Sequence, residues 1–184
     1  MSSRLLLMIA LLCPSWGYGH NLSDSFIDLV VVNQQIDGHW LIAVQDLELA
    51  IGVDQDLDTE VTWGELLQRR SAIIDYAFAR LQVSMDGSRC PLQAGDMQLQ
   101  QRSTGMFVHL PVSGSCSTAG ELAINYKLLF DIDASHRGIL NLTSNSGSHV
   151  RLFSPTEPSH RLAAGGATGV SKWLPLSPLP IPSL

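Results

Sequence analysis

The sequence predicts a mainly β protein, an antiparallel β-sandwich with one helix–loop–helix inserted between two strands. Three observations carry this. Short runs rich in Ile, Leu and Val recur along the chain between turn pairs such as Asp37-Gly38 and Asp86-Gly87. Residues 45–81 break that rhythm, with apolar positions spaced near 3.6 rather than 2. Two cysteines, Cys90 and Cys116, lie beyond the N-terminal region, and an even pair in an exported chain reads as a disulfide. That bridge would contribute roughly 3 kcal/mol by chain entropy.

Residues 1–19 have the form of a secretory signal peptide. Arg4 supplies the positive start, residues 5–13 the apolar stretch, and Gly17 and Gly19 the small residues before a cut at His20. Nine apolar residues are too few to span a ~30 Å hydrocarbon core. The expected address is therefore exported, periplasmic or extracellular. Of eleven Lys and Arg, Arg4 lies in that leader, leaving ten against seventeen Asp and Glu. With no basic patch, nucleic acid is excluded as an expected partner.

The domain is expected over 20–156. Strands are read at 25–32, 39–44, 81–85, 97–101, 106–110, 121–130, 138–143 and 149–153, each a β-rich run bounded by turn residues. Trp40, Trp63 and Phe107 are expected in the core. Residues 157–184 change character: a small-residue run, 163–167, precedes Pro175, Pro178, Pro180 and Pro182, so this stretch reads as a disordered or non-native tail.

The insertion holds the most specific chemistry. Residues 54–65 place Asp54, Asp56, Asp58 and Glu65 at positions 1, 3, 5 and 12 of a twelve-residue loop, with apolar Val61 at position 8. This is the ligand spacing of an EF-hand calcium loop. Calcium takes six to eight oxygens. The three Asp carboxylates, the Glu60 carbonyl, Thr62 directly or through water, and both Glu65 oxygens would supply them. Residues 45–51 read as the entering helix. Thr62 and Glu65 form a capping-box pattern, and Trp63, Leu66, Leu67, Ile73, Ile74, Ala77, Phe78 and Leu81 continue an amphipathic exit helix. Position 6, normally Gly because the backbone there needs φ > 0, is Thr59, which predicts strain and weak affinity. No second loop of this kind occurs, so the spacing predicts a structural clip rather than a paired sensor.

Two other groups contain ligand types. His20, as a new N-terminus, could grip nickel or copper, although an exposed terminal His of no consequence is the preferred reading. Asp131, Asp133 and His136 are read as a strand-ending turn in which Asp and Ser bond the backbone. No Gly-x-Ser-x-Gly, His-Glu-x-x-His or Gly-rich phosphate loop is present, so no enzymatic reading is supported.

Three segments together resemble the extracytoplasmic N-terminal region of HupE/UreJ-like membrane proteins, over about residues 20–155. They are the stretch 20–25; Trp40 with Asp46-Leu47-Glu48 running into the acidic loop and 62–66; and the stretch 128–133 with His136-Arg137-Gly138. The resemblance implies a periplasmic β-domain that precedes membrane helices anchored in the inner membrane, with nickel or cobalt uptake inferred for some members. That family's His-rich transport signature belongs to the membrane part, so only the β-domain and its acidic metal loop carry over. The remaining expectation is a partner protein, periplasmic or membrane-bound, captured at a sheet edge.

Overall fold

The computed structural model describes residues 23–163. In chain order these form β1 (Asp24–Val32), β2 (Gln35–Ala43), α1 (Val44–Ile51), α2 (Trp63–Gln68), α3 (Arg70–Arg80), β3 (Leu81–Met85), β4 (Ser88–Cys90), β5 (Leu92–Ala94), β6 (Gln98–Arg102), β7 (Gly105–Ser115), β8 (Leu122–Tyr126), β9 (Arg137–Ser144), β10 (Gly147–Phe153) and β11 (Ser159–Leu162). The protein is mainly β, as the sequence predicts. The helices fall between β2 and β3 in the chain.

Two sheets make the fold. The seven-stranded sheet has the order β10-β9-β1-β2-β7-β5, with β6 also on β7, and the four-stranded sheet has the order β11-β8-β3-β4. Period-two alternation directs one face of each inward. A single hydrophobic cluster joins Ile27, Leu29, Trp40 and Leu110 of the larger sheet to Val83, Ile124 and Tyr126 of the smaller. The Cys90–Cys116 disulfide is present. It ties the end of β4, in the small sheet, to the residue following β7, in the large one.

Several expectations are corrected. The large sheet is mixed, because β1 lies parallel to β9. A parallel pair needs a long crossover, and here most of the domain lies between the two strands. The first hairpin turns at Asn33-Gln34, with φ of 49° and 68°, rather than at Asp37-Gly38. Gly38 sits inside β2, where an added Cβ would lie 2.0 Å from the Asp28 carbonyl oxygen. Close strand approach, not a turn, explains that glycine. The second expected turn is as read, with Asp86 and Gly87 both at positive φ between β3 and β4.

β7 runs through Pro111. The Pro111 carbonyl accepts from Gly95, so the missing Pro donor faces the break between β5 and β6 and costs no ladder bond. β8 ends at Tyr126, four residues before the expected limit, and Leu129 then turns at φ 57°. β11 occupies part of the stretch read as a tail; residues 164–184, and the leader 1–19 with His20, lie outside the described residues. Trp40 and Phe107 are buried, whereas Trp63 is 36% exposed.

Candidate metal centre

The acidic loop begins where α1 stops. Gly52 ends that helix at φ 60° and returns its N–H to the Glu48 carbonyl, the left-handed stop that glycine permits. Glu48 then reaches forward: its Oε2 accepts the N–H groups of Val53 and Asp54 at 2.6 and 2.7 Å. The sequence carries little sign of this anchoring role: Glu48 is a carboxylate one helical turn before the glycine.

Within the loop, carboxylate oxygens of Asp54, Asp56 and Asp58 lie within 4.8 Å of one another. Asp54 is buried and the other two are exposed. Asp54 shapes the turn, with one oxygen accepting from Leu57 N at 2.7 Å and the other from Thr59 N at 2.9 Å. Asp58 accepts from Glu60 N at 2.8 Å. Thr59 adopts φ 74° and Leu57 φ 61°. The loop therefore bends at position 6 despite the β-branched residue there, at a cost of order 1–3 kcal/mol.

Thr62 and Glu65 form the expected capping box at the start of α2. Glu65 is buried, and its two oxygens accept from Gln55 N at 2.6 Å and from Thr62 N and Oγ1 at 2.8 Å each. The Thr62 and Gln55 N–H groups hold its pKa down to about 2. Glu65 thus bridges both ends of the loop but is not within the 4.8 Å group of three Asp. Glu60 is exposed. The exit helix is not continuous: Arg69, at φ −90° and ψ 6°, separates α2 from α3. Its guanidinium donates to the Ile51 carbonyl at 2.7 Å, tying exit to entry.

Chemically, the loop gathers hard oxygen donors of one sign. Among the described residues no ion pair includes a loop carboxylate. The mutual repulsion is visible at Asp56. The Asp58 N–H lowers its pKa, but desolvation and the charges of Asp58, Glu65 and Asp54 outweigh that and raise it. Each carboxylate offers about four lone-pair sites, so the N–H bonds leave sites free for a cation.

A second polar constellation was not foreseen. Ser23, Ser25, Trp40, Asp46, Tyr126 and His136 are all buried. Asp46, on α1, accepts from Ser23 Oγ at 2.8 Å; Ser23 Oγ lies 2.6 Å from His136 Nδ1; His136 Nε2 lies 2.5 Å from the Tyr126 hydroxyl. That hydroxyl lies 2.6 Å from Ser25 Oγ, which accepts from Trp40 Nε1 at 3.1 Å. An ionised Asp46 fixes every direction. Ser23 donates to Asp46, His136 Nδ1–H to Ser23, Tyr126 to His136 Nε2, Ser25 to Tyr126, and Trp40 to Ser25, with no donor left over.

Burial lowers the His136 pKa to about 4, and burial raises that of Asp46 to about 6 despite the Ser23 bond. At neutral pH the imidazole is neutral and the carboxylate charged. The residues lie up to 113 positions apart, so spacing carries no trace of them. The His136 side chain accordingly bonds neither Asp131 nor Asp133; only its backbone N–H donates to the Asp133 carbonyl, at 3.2 Å. Asp133 accepts from Ser135 N and Oγ at 2.7 Å, the strand-ending turn that was read, and Asp131 pairs with Arg80 at 3.0 Å. Among the described residues no helix is long and apolar enough to cross a membrane. No protein-family model matches the chain, and no curated protein matches it.

Proposed function

We propose that this is an exported, non-enzymatic domain whose loop 54–65 binds one calcium ion as a structural clip. The observation that carries the reading is the convergence of Asp54, Asp56 and Asp58 oxygens within 4.8 Å. All the donors are oxygen, as calcium requires. The expected affinity is that of extracellular modules, on the order of 10⁻⁴–10⁻³ M. The ion would join α1 to α2 and lock the helical segment that follows β2 against the sheets.

The test is thermal melting in 10 mM calcium against chelator. Linkage at that affinity predicts roughly 1.4–2.7 kcal/mol of added stability, a rise of several degrees for a chain of this size. Asp58→Asn should abolish the rise and leave the chelated melt unchanged. A wild-type melt indifferent to calcium overturns the proposal.

The resemblance to HupE/UreJ-like proteins suggests a setting, the extracytoplasmic part of a membrane protein of metal uptake. A second reading, capture of an exported or membrane partner at a sheet edge, is favoured by one observation. Edge strand β10 leaves Val150 and Leu152 66% and 57% exposed. Pull-down from periplasmic extract, with and without chelator, separates the two: an edge partner survives chelation and is lost in Val150→Lys.

A further inference from the structure

We propose that His39 and His109 form a transition-metal site on the outer face of the large sheet, oriented by Asp28, for a borderline divalent ion such as Zn²⁺ or Cu²⁺. The site is separate from the acidic loop and does not depend on the calcium reading.

The three residues come from three adjacent strands. Asp28 of β1 is directly opposite His39 of β2. His109 of β7 is opposite Leu41, and His39 is opposite Pro111, so the two histidines are diagonal neighbours on one face. Their flanking residues Ile27, Leu29, Trp40, Val108 and Leu110 point into the core, which leaves both imidazoles on the outside. The rings stack with centroids 4.8 Å apart and planes 27° apart. Both remain partly accessible.

The nitrogen chemistry suits a metal. His39 Nε2 lies 3.2 Å from Asp28 Oδ2. With its proton there, His39 keeps Nδ1 as the lone-pair nitrogen. Asp28 is itself held, since Asn141 Nδ2 donates to its other oxygen at 2.7 Å. A carboxylate behind a ligating histidine, itself fixed by a further bond, is the usual support of an imidazole ligand. His109 Nδ1 is shielded from solvent and has no hydrogen-bond partner among the described residues.

Two imidazoles and no soft sulfur select Zn²⁺, Cu²⁺ or Ni²⁺ over calcium, with Cu²⁺ bound most tightly. A side-chain rotation from the stack would bring one nitrogen of each ring to the Zn–N distance of about 2.0–2.1 Å, with water completing the shell. The alternative is a bare aromatic stack with no ion.

The test uses the full chain carrying His20→Ala, so that no terminal histidine contributes. Zn²⁺ titration against a chromophoric chelator should give one equivalent of binding. His39→Gln or His109→Gln should weaken it at least tenfold, and Asp28→Asn by about tenfold as an orienting residue. Asp58→Asn should not change it. Cu²⁺ added to the same chain should give an electron paramagnetic resonance spectrum with coupling to two imidazole nitrogens, reduced to one in either His variant. Zn²⁺ affinity unchanged in the His39→Gln/His109→Gln double variant, or a Cu²⁺ spectrum without nitrogen coupling, overturns the proposal. Melting curves of the variants report whether the fold is retained, and the spectrum of the His20→Ala chain needs no further variant.

Discussion

The acidic loop and the buried polar chain handle charge in opposite ways. The loop puts five acidic residues into twelve positions, and its own backbone N–H groups bond four of them, Asp54, Asp56, Asp58 and Glu65. The buried chain has one carboxylate, Asp46, connected through Ser23, His136, Tyr126 and Ser25 to Trp40. Its members come from the residue before β1, from β1, β2, α1 and β8, and from the turn before β9. The loop is local, partly exposed and tolerant; the chain is long-range, buried and cooperative. Charge in the first waits for a partner from solution. In the second it is compensated only when the whole fold is assembled, because an unpaired buried polar group costs far more than an exposed one.

The sharpest way to break this contrast is to remove the centre of the buried chain. His136→Ala leaves Ser23 and Tyr126 without their shared partner and opens a cavity. The expected loss is about 3–5 kcal/mol, from unpaired buried hydroxyls and lost packing. Urea denaturation should show it as a lowered midpoint at unchanged slope. Asp58→Asn, a surface change in the loop, should stay within about 0.5 kcal/mol in chelator. Equal losses in the two variants would erase the distinction.

The next effect is in pH. His136 titrates near 4 in the fold against an ordinary 6.5, so its stabilisation is complete above 6.5 and is lost as pH falls towards 4. Asp46 titrates near 6 against 3.8, so its buried charge is a penalty above 6 that is relieved as pH falls. The two slopes oppose each other across the same window, and wild-type stability should be nearly flat from about pH 6 to 4. Asp46→Asn deletes one slope. That variant should lose about 2–3 kcal/mol between pH 6.5 and 4. The loop acts lower on the scale: the depressed Glu65 stabilises above 4.5 and yields only as pH falls from there towards 2. A wild-type curve that already falls steeply from 6.5 to 4 would refute the compensation.

This difference also explains what could be read from the sequence. The loop, the capping box of Thr62 and Glu65, the Asp86-Gly87 turn and the disulfide pair were legible because their partners lie at fixed short spacings or carry a chemical type that finds its own kind. The parallel pairing of β1 with β9 was not, because alternation names a strand but not its neighbour. Gly38 reads as a turn in sequence, yet strand approach demands it. His136 reads as a ligand type on a polar turn, yet it is the hub of the interior. Gly138 gains its reason only in space: an added Cβ would lie 2.6 Å from the Tyr126 ring, the ring that bonds His136.

Replacing Glu48 with Gln sharpens the comparison from the loop side. Gln keeps an oxygen for the Val53 and Asp54 N–H groups but removes the charge that strengthens both bonds. The expected loss is roughly 1 kcal/mol in chelator, with the calcium-dependent rise in melting temperature retained, since Glu48 is not among the converging oxygens. Loss of that rise would make Glu48 a ligand rather than an anchor.

The smallest effect tests the one residue at which the loop departs from its pattern. Thr59 holds φ 74° with a branched side chain that resists it, and Asp54 Oδ2 on its N–H holds it there. Thr59→Gly removes the steric resistance but adds freedom to the unfolded chain, and the two oppose each other. If the strain is present equally with and without calcium, the substitution shifts the melt in chelator and leaves affinity alone. If calcium is what enforces the bend, affinity should tighten by about fivefold, equivalent to ~1 kcal/mol, with the chelated melt scarcely moved. The Asp54–Thr59 bond forms from the loop's own groups, so the expected result is the first: a gain of less than about 1 kcal/mol in chelator and unchanged calcium affinity by titration calorimetry.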